Sequence, residues 1–166
     1  MRKMTCRQRY IPASITRAPR PHKTKRVKAY RPKQSDSWST PKDFYNKLDA
    51  IHSFTFDPCP LNHDTSKWDG LEVEWGERNF VNPPYSRPNL EQFVRKGIVE
   101  ADKGKLCVFL IPASTDTRLF HDVILPNATS IEFVRGRLKF EGYNNAGEFC
   151  NAPAMKGSMI VIFDGR

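Results

Sequence analysis

"RNFVNPPYSRPNLEQFVRKGIVEADKGKLCVFLIP", residues 78–112, changes its hydrophobic pattern three times within one short stretch. The opening RNFVN reads as a strand. It stops at Pro83-Pro84, because proline has no N–H for a sheet ladder and fixes its own φ. The following RPNLEQFVRKGIVEADKG sets Leu90, Phe93, Val94, Ile98 and Ala101 on one helical face and ends on Gly104. KLCVFLIP is then apolar without a break, the pattern of a strand covered on both faces.

The same alternation continues outward. Upstream, STPKDFYNKLDAIH (39–52) predicts a helix with Thr40 as N-cap, Pro41 at its first position and Asp43 at capping-box spacing. Phe44, Tyr45, Leu48 and Ile51 share one face of it. FTFDP (54–58) reads as a strand closed by Pro58 and Pro60, and LEVEW (71–75) as the remnant of another. Downstream, DTRLFHDVIL (116–125) predicts a short helix with Leu119, Phe120, Val123 and Ile124 facing inward and His121 exposed. SIEFVRGRLKFEG (130–142) alternates as two strands around Gly136, and GSMIVIF (157–163) is the last strand. Strands alternating with amphipathic helices imply an α/β layered sheet.

With 166 residues, 39% hydrophobic, the chain is long enough for one domain with its own core. No apolar stretch reaches the ~20 residues of a bilayer span, so no membrane partner is expected. MRKMTCRQRY is basic but lacks the apolar core of a secretory signal. Cys6, Cys59, Cys107 and Cys150 form no close ligand pairs, which argues against a zinc site and for a reducing, cytoplasmic setting. Charge is segregated. Residues 1–34 hold 12 Lys and Arg and no acid, whereas residues 35–166 hold 15 basic and 18 acidic residues. Residues 1–34 thus read as a basic, proline-containing tail, extended or disordered in isolation, and 35–166 as the folded domain. Arg17, Arg20, Lys23, Lys25, Arg26 and Lys28 suit nucleic-acid phosphates, with Tyr10, His22 and Tyr30 placed to stack on bases. A solubilising arm is the other reading.

A strand ending in Asn82-Pro83-Pro84-Tyr85 at the carboxyl edge of such a sheet lies where ligands bind. The Asn82 side chain and the Pro83 carbonyl offer two acceptors on a path held by the prolines, and Tyr85 offers a flat face. A planar molecule with an exocyclic amino group fits. Hydrogen bonds accepted from both amino protons draw the nitrogen lone pair out of conjugation and create a nucleophile for an activated methyl group. Positioning and electrostatics then carry the catalysis. A strand-terminating turn is the structural alternative.

NPPY resembles the catalytic motif of the amino-group methyltransferases that use S-adenosylmethionine. More narrowly, the segment from Trp38 to Phe163 is similar to the phage-type DNA N6-adenine methyltransferases through WSTP (38–41), FDPCP (56–60), FVNPPYS (80–86), LIPASTDTRLFH (110–121) and GRLKF (136–140). The resemblance implies a Rossmann-like methyltransferase sheet and N6 methylation of adenine in DNA, with Asn82, Pro83, Pro84 and Tyr85 as the target-base site. It also implies that Asp57, Pro58 and Cys59 form the cofactor loop, and that Trp38, Thr40 and Pro41 close over the methionine end of S-adenosylmethionine. A helix start there offers N–H groups and a positive dipole end to a carboxylate. Asp57 alone also reads as a turn residue, and Trp38 as a core anchor. Asp116 and Thr117 suit the site, although capping by Thr115 or Asp116 is the simpler role. Arg135 and Arg137 flank Gly136 and suit phosphate contacts or a solvated strand face.

Two departures from the broad methyltransferase pattern bear on the fold. DPCPLNHDTSKWDG has no glycine before Gly70, so prolines must shape the cofactor loop. Only 25 residues lead from Asp57 to Asn82, too few for two further βα units when one crossover takes ~10–12. The sheet should therefore be reduced in strand number. The chemistry also admits RNA adenine or a protein glutamine amide as acceptor, and a non-catalytic nucleic-acid-binding protein with a decayed methyltransferase fold is the reading from another class.

Overall fold

In the computed structural model, which describes residues 38–61, 63–143 and 149–165, the strand, helix and strand of residues 78–112 form one parallel unit. In chain order the first elements are β1 (Trp38–Ser39) and α1 (Lys42–His52). Next come β2 (Arg78–Val81), α2 (Asn89–Ala101) and β3 (Leu106–Pro112). A π-helical turn, Leu119–Ile124, runs into a short α3 (Leu125–Asn127). Four strands complete the fold: β4 (Ser130–Phe133), β5 (Lys139–Tyr143), β6 (Phe149–Pro153) and β7 (Ser158–Asp164).

The main sheet has four strands in the order β2-β3-β7-β4. β2 and β3 are parallel, with Phe80 opposite Val108, while β7 runs antiparallel to both β3 and β4. A second antiparallel sheet, β1-β5-β6, was not legible in the sequence. SIEFVRGRLKFEG does divide around Gly136, whose φ of +81° suits a glycine, but its two halves join different sheets. The expected strand at 54–58 contracts to a single parallel bridge, Phe56 to Asn79. Pro58 has no N–H to extend that ladder. LEVEW forms no strand either: the N–H groups of Glu72 and Val73 both donate to the Asp69 carbonyl in a turn, which carries Trp75 into the core.

Strand β3 explains the layering. Cys107, Phe109 and Ile111 pack with Phe93, Val94 and Ala101 of α2 and with Phe120, Val123 and Ile124. Leu106, Val108 and Leu110 face the other way, towards Phe80, Ile160 and Phe140, with Phe44, Tyr45 and Leu48 of α1 against them. Each side chain buried this way contributes roughly 1.5–3 kcal/mol. The expected inner face of α1 is one residue too wide, since Ile51 is 70% exposed. α2 approaches β3 closely at Gly97, where an added Cβ would lie 2.4 Å from the Phe109 ring. No helix among the described residues is long and apolar enough to cross a membrane.

At the amino edge of β3, the fully buried Glu100 accepts from Lys105 at 2.8 Å, Lys96 at 2.7 Å and Lys103 at 2.9 Å. Burial alone pushes its carboxyl upward, but the hydrogen bonds from Lys105, Lys96 and Lys103 outweigh it and bring the pKa down to about 2. Lys105 is itself buried and also bonds the Trp75 carbonyl at 2.6 Å. Glu100→Gln leaves that ammonium without its buried counter-charge and is expected to destabilise the fold by ~3 kcal/mol in chemical denaturation. Glu74→Gln, which removes a 73%-exposed partner of the same lysine, is expected to have a far smaller effect.

Candidate active site

β2 ends where its backbone runs out of N–H donors, at Pro83 and Pro84, both of them buried. This fixes Asn82 at the carboxyl edge of the sheet, and its side-chain amide is held at both ends. Its Nδ2 donates to the Thr40 hydroxyl at 3.2 Å, and its Oδ1 accepts from the Tyr85 hydroxyl at 2.9 Å. The Tyr85 hydroxyl also lies 3.3 Å from the Leu110 carbonyl of β3. Burial, and then the neighbouring Cys59, raise the Tyr85 phenol well above its ordinary 10, so it remains a donor through the working pH range. The sequence reading assigned Tyr85 a flat face. The structure adds a hydroxyl that orients Asn82.

Thr40 does not cap α1. Pro41 takes the cap position in an extended conformation, φ −54° and ψ 131°, and no side chain caps the helix, Asp43 included. The helix therefore starts at Lys42, later than expected, and the Thr40 hydroxyl is directed to Asn82. The Trp38–Ser39 backbone pairs with Gly142 and Glu141 of β5, which brings the WSTP segment to the same edge.

The Asp57–Cys59 turn meets Asn82 from another side. Asp57 Oδ1 accepts the Cys59 N–H at 2.8 Å. Burial raises the Asp57 carboxyl to about 6, offset in part by hydrogen bonds from the Cys59 N–H and thiol. Burial first, and then Asp57, push the Cys59 thiol well above its ordinary value, while its sulfur accepts the backbone N–H of Asn82. Pro58 is buried with its carbonyl against Gly70, where a Cβ would lie 1.9 Å away. The Gly70 carbonyl in turn accepts the Trp75 indole N–H at 2.7 Å. One glycine and a tryptophan thus close the loop in place of a glycine-rich turn.

A cavity of about 860 Å³ opens beside Asn82, Pro83 and Tyr85, with Ile111, Thr117, Phe140 and Met159 among its other walls. Thr40, Asp57, Pro58 and Cys59 are not in this lining. Thr40 and Cys59 reach Asn82 by the contacts just described, and Asp57 and Pro58 belong to the same turn as Cys59. Phe140, edge-on to Tyr85 with ring centres 6.4 Å apart, was given no role by the sequence reading, although the GRLKF alternation marked it as inward. Arg87, Arg118 and Lys156 on the cavity wall were not singled out either, because no periodicity marks an exposed cation as functional. Thr117 lines the cavity and caps the turn that follows: its hydroxyl accepts the Phe120 N–H at 3.3 Å, the role expected of Thr115 or Asp116, both of which are exposed along with His121.

Arg135 and Arg137 are exposed on either side of Gly136. Arg137 donates to the Ala154 carbonyl at 3.3 Å, on the cavity rim, and Arg135 lies outside the lining. The tail residues Arg17, Arg20, Lys23, Lys25, Arg26 and Lys28 fall outside the described residues. Among the described residues, no group of three or more His, Cys, Asp or Glu is placed to hold a metal ion.

Because the Asp57 pKa is raised on folding, its protonated form favours the folded state. Its contribution is fully present below pH ~4 and is lost as pH rises through about 6. Relative to Asp57→Asn, the ligand-free wild type is expected to lose roughly 2–3 kcal/mol of stability between pH 4 and pH 7, read by denaturant melts at each pH.

A family model described as DNA N-6-adenine-methyltransferase (Dam) matches residues 28–165. A protein of Escherichia phage T1 named DNA N-6-adenine-methyltransferase is 32% identical over 114 residues, covering 62% of this chain and 46% of that protein. The chain therefore spans about half the length of the curated relative it matches. No solved structure matches the chain. The family match takes in the NPPY strand end, the Asp57 turn and both sheets, and this chain belongs to the DNA N-6-adenine-methyltransferase (Dam) family.

Proposed function

We propose that this protein transfers a methyl group from S-adenosylmethionine to the N6 amino group of adenine in DNA. The observation that carries the proposal is the Asn82 amide, held by Thr40 at one end and Tyr85 at the other, at the mouth of a cavity beside the Pro83 backbone. Asn82 Oδ1, an oxygen with two acceptor sites, and the Pro83 carbonyl form in this reading a pair of acceptors for the substrate. Together they take the two N–H bonds of one amino group and stabilise the positive charge that develops on its nitrogen. Donation from Asn82 Nδ2 to Thr40 polarises the amide and strengthens Oδ1 as an acceptor. Tyr85 and Phe140 supply the aromatic walls for the base, which must leave the duplex stack to enter.

The residues on the other side of Asn82 fit the cofactor. Asp57 is a desolvated carboxylate whose pKa is raised by burial, which the Cys59 hydrogen bonds and His63 offset only in part, and α1 begins without a side chain capping its first N–H groups. An amino-acid zwitterion suits the pair, with its ammonium held by Asp57 and its carboxylate by the helix start. Pro58, Cys59 and Pro41 shape the walls, with the WSTP segment closing over them. S-adenosylmethionine, when bound, supplies a methyl group on a sulfonium whose departure leaves a neutral thioether. The β2-β3-β7-β4 order, with Phe56 parallel at its open edge, reads as a Rossmann-like sheet reduced to the strands that flank this site. Residues 1–34 serve in this reading as a phosphate-binding arm on the methyltransferase domain.

Radiolabelled S-adenosylmethionine, incubated with duplex DNA, single-stranded DNA and RNA, tests the assignment through nucleoside analysis. Labelled N6-methyladenine in DNA is expected. Asn82→Ala should reduce kcat by roughly 10²–10³-fold. Tyr85→Phe keeps the ring but frees the amide, and should cost about tenfold, or ~1.4 kcal/mol of barrier. Cofactor binding without transfer to DNA would reject the substrate. Deleting residues 1–34 is expected to lower DNA affinity and to flatten its salt dependence by ~0.9 for each phosphate the arm had neutralised, with cofactor affinity unchanged in calorimetry. A fall in cofactor affinity in that deletion would reject the separate arm.

A further inference from the structure

Met155 is 92% exposed, more than any other large hydrophobic side chain among the described residues. It lies in the connection between β6 and β7, residues 154–157, and lines the same cavity as Asn82 and Tyr85. The connection is pinned at both ends. The Ala154 N–H donates to the Leu138 carbonyl at 2.8 Å, and the Gly157 carbonyl accepts the Ala113 N–H at 2.8 Å. An apolar side chain is thus presented to solvent from a fixed backbone at the mouth of the site. It contributes nothing to the core, and its burial becomes available only when something else covers it.

The surroundings indicate what covers it. Lys156 follows directly, with its ammonium 3.0 Å from the Ser114 hydroxyl, and Arg137 reaches the Ala154 carbonyl from β5's side of the connection. Arg87 and Arg118 stand on the cavity wall, whose acidic residue Glu91 is paired with Arg95 at 2.8 Å. An apolar tip among cations, beside a cavity sized for a flipped nucleotide, matches a base step bordered by phosphates. When a base leaves the stack it opens a gap one ring thick, which apolar side chains, methionine included, enter in proteins that unstack DNA. Methionine is unbranched and adaptable enough to slide into such a gap.

We propose that Met155 is a positioning residue that wedges into the duplex at the place vacated by the target adenine, while Lys156, Arg137, Arg87 and Arg118 engage the neighbouring phosphates. The inference rests on the proposed adenine methylation at Asn82. Its role is confined to duplex substrates, because a single strand has no partner stack to hold open.

The test compares wild type, Met155→Ala and Met155→Leu on a matched duplex that the wild type methylates and on the same target strand alone. Both substitutions lie at an exposed position, and thermal melting verifies that the fold is kept. For Met155→Ala the ratio of duplex to single-strand kcat/KM should fall at least tenfold. Met155→Leu should restore most of it, as should a mismatch opposite the target in the Met155→Ala reaction. With 2-aminopurine replacing the target adenine, the wild type should raise its fluorescence in the duplex and Met155→Ala should not. An unchanged ratio, or an equal reduction on both substrates, overturns the wedge while leaving adenine methylation intact. A wild type that methylates only single strands overturns it as well. Absence of labelled N6-methyladenine in any DNA rejects the underlying reading, and the wedge falls with it.

Discussion

Burial of Leu106–Pro112 on both faces constrains the rest of the molecule, because a strand without an exposed side must be covered twice. α2 and the π-helical turn cover one face, and α1 with part of the second sheet covers the other. Covering both faces sets the order of the layers and leaves only the ends of the strands open. At the amino end, Lys105 and Glu100 seal the edge with a buried charge network. At the carboxyl end no such network forms among the described residues. Asn82, Pro83 and the loop after Pro112 line a cavity instead.

That asymmetry separates the end of the sheet that is sealed by ion pairs from the end that carries the cavity. Glu100 is fully buried, but three lysines satisfy it and its carboxyl is more acidic than in water. Asp57 is also desolvated, yet the hydrogen bonds from the Cys59 N–H and thiol and the nearby His63 do not outweigh its burial, and its carboxyl becomes less acidic. A carboxylate held in this way costs stability when it ionises. The Asn82 amide is held in a related way: the Thr40 hydroxyl, from a distant segment, and the nearby Tyr85 hydroxyl fix its orientation at the cavity wall.

Some of this was legible from local pattern. The i, i+3, i+4 spacing in α2 and the unbroken apolar run of β3 identified both elements, since burial on one or two faces writes itself directly into residue order. The proline pair marked the end of β2, and the residue types of Asn82 and Tyr85 drew attention to that strand end. Other features were hidden because they depend on contacts far apart in the chain. Thr40 looked like a helix cap, and only the approach of residue 82 gives its hydroxyl another partner. The β1-β5-β6 sheet was missed because a two-residue strand and its partner a hundred residues away leave no local signature. Phe56 looked like part of a full strand, but its neighbour Pro58 reduced the pairing to one bridge.

From the residues alone came the α/β class, the two-sided central strand, the proline-terminated strand end and an amide and an aromatic ring suited to an exocyclic amino group. These follow from backbone stereochemistry and from the one-dimensional periodicity of burial, both of which act between near neighbours. Only the tertiary structure decided that Tyr85 orients Asn82 as well as facing the cavity, that Phe140 and the residues 154–157 line the same cavity, and that Cys59 meets the Asn82 N–H from outside it. Those arrangements arise when segments distant in sequence are forced over the same strand edge, and no local pattern encodes which hydroxyl, ring or cation will meet there.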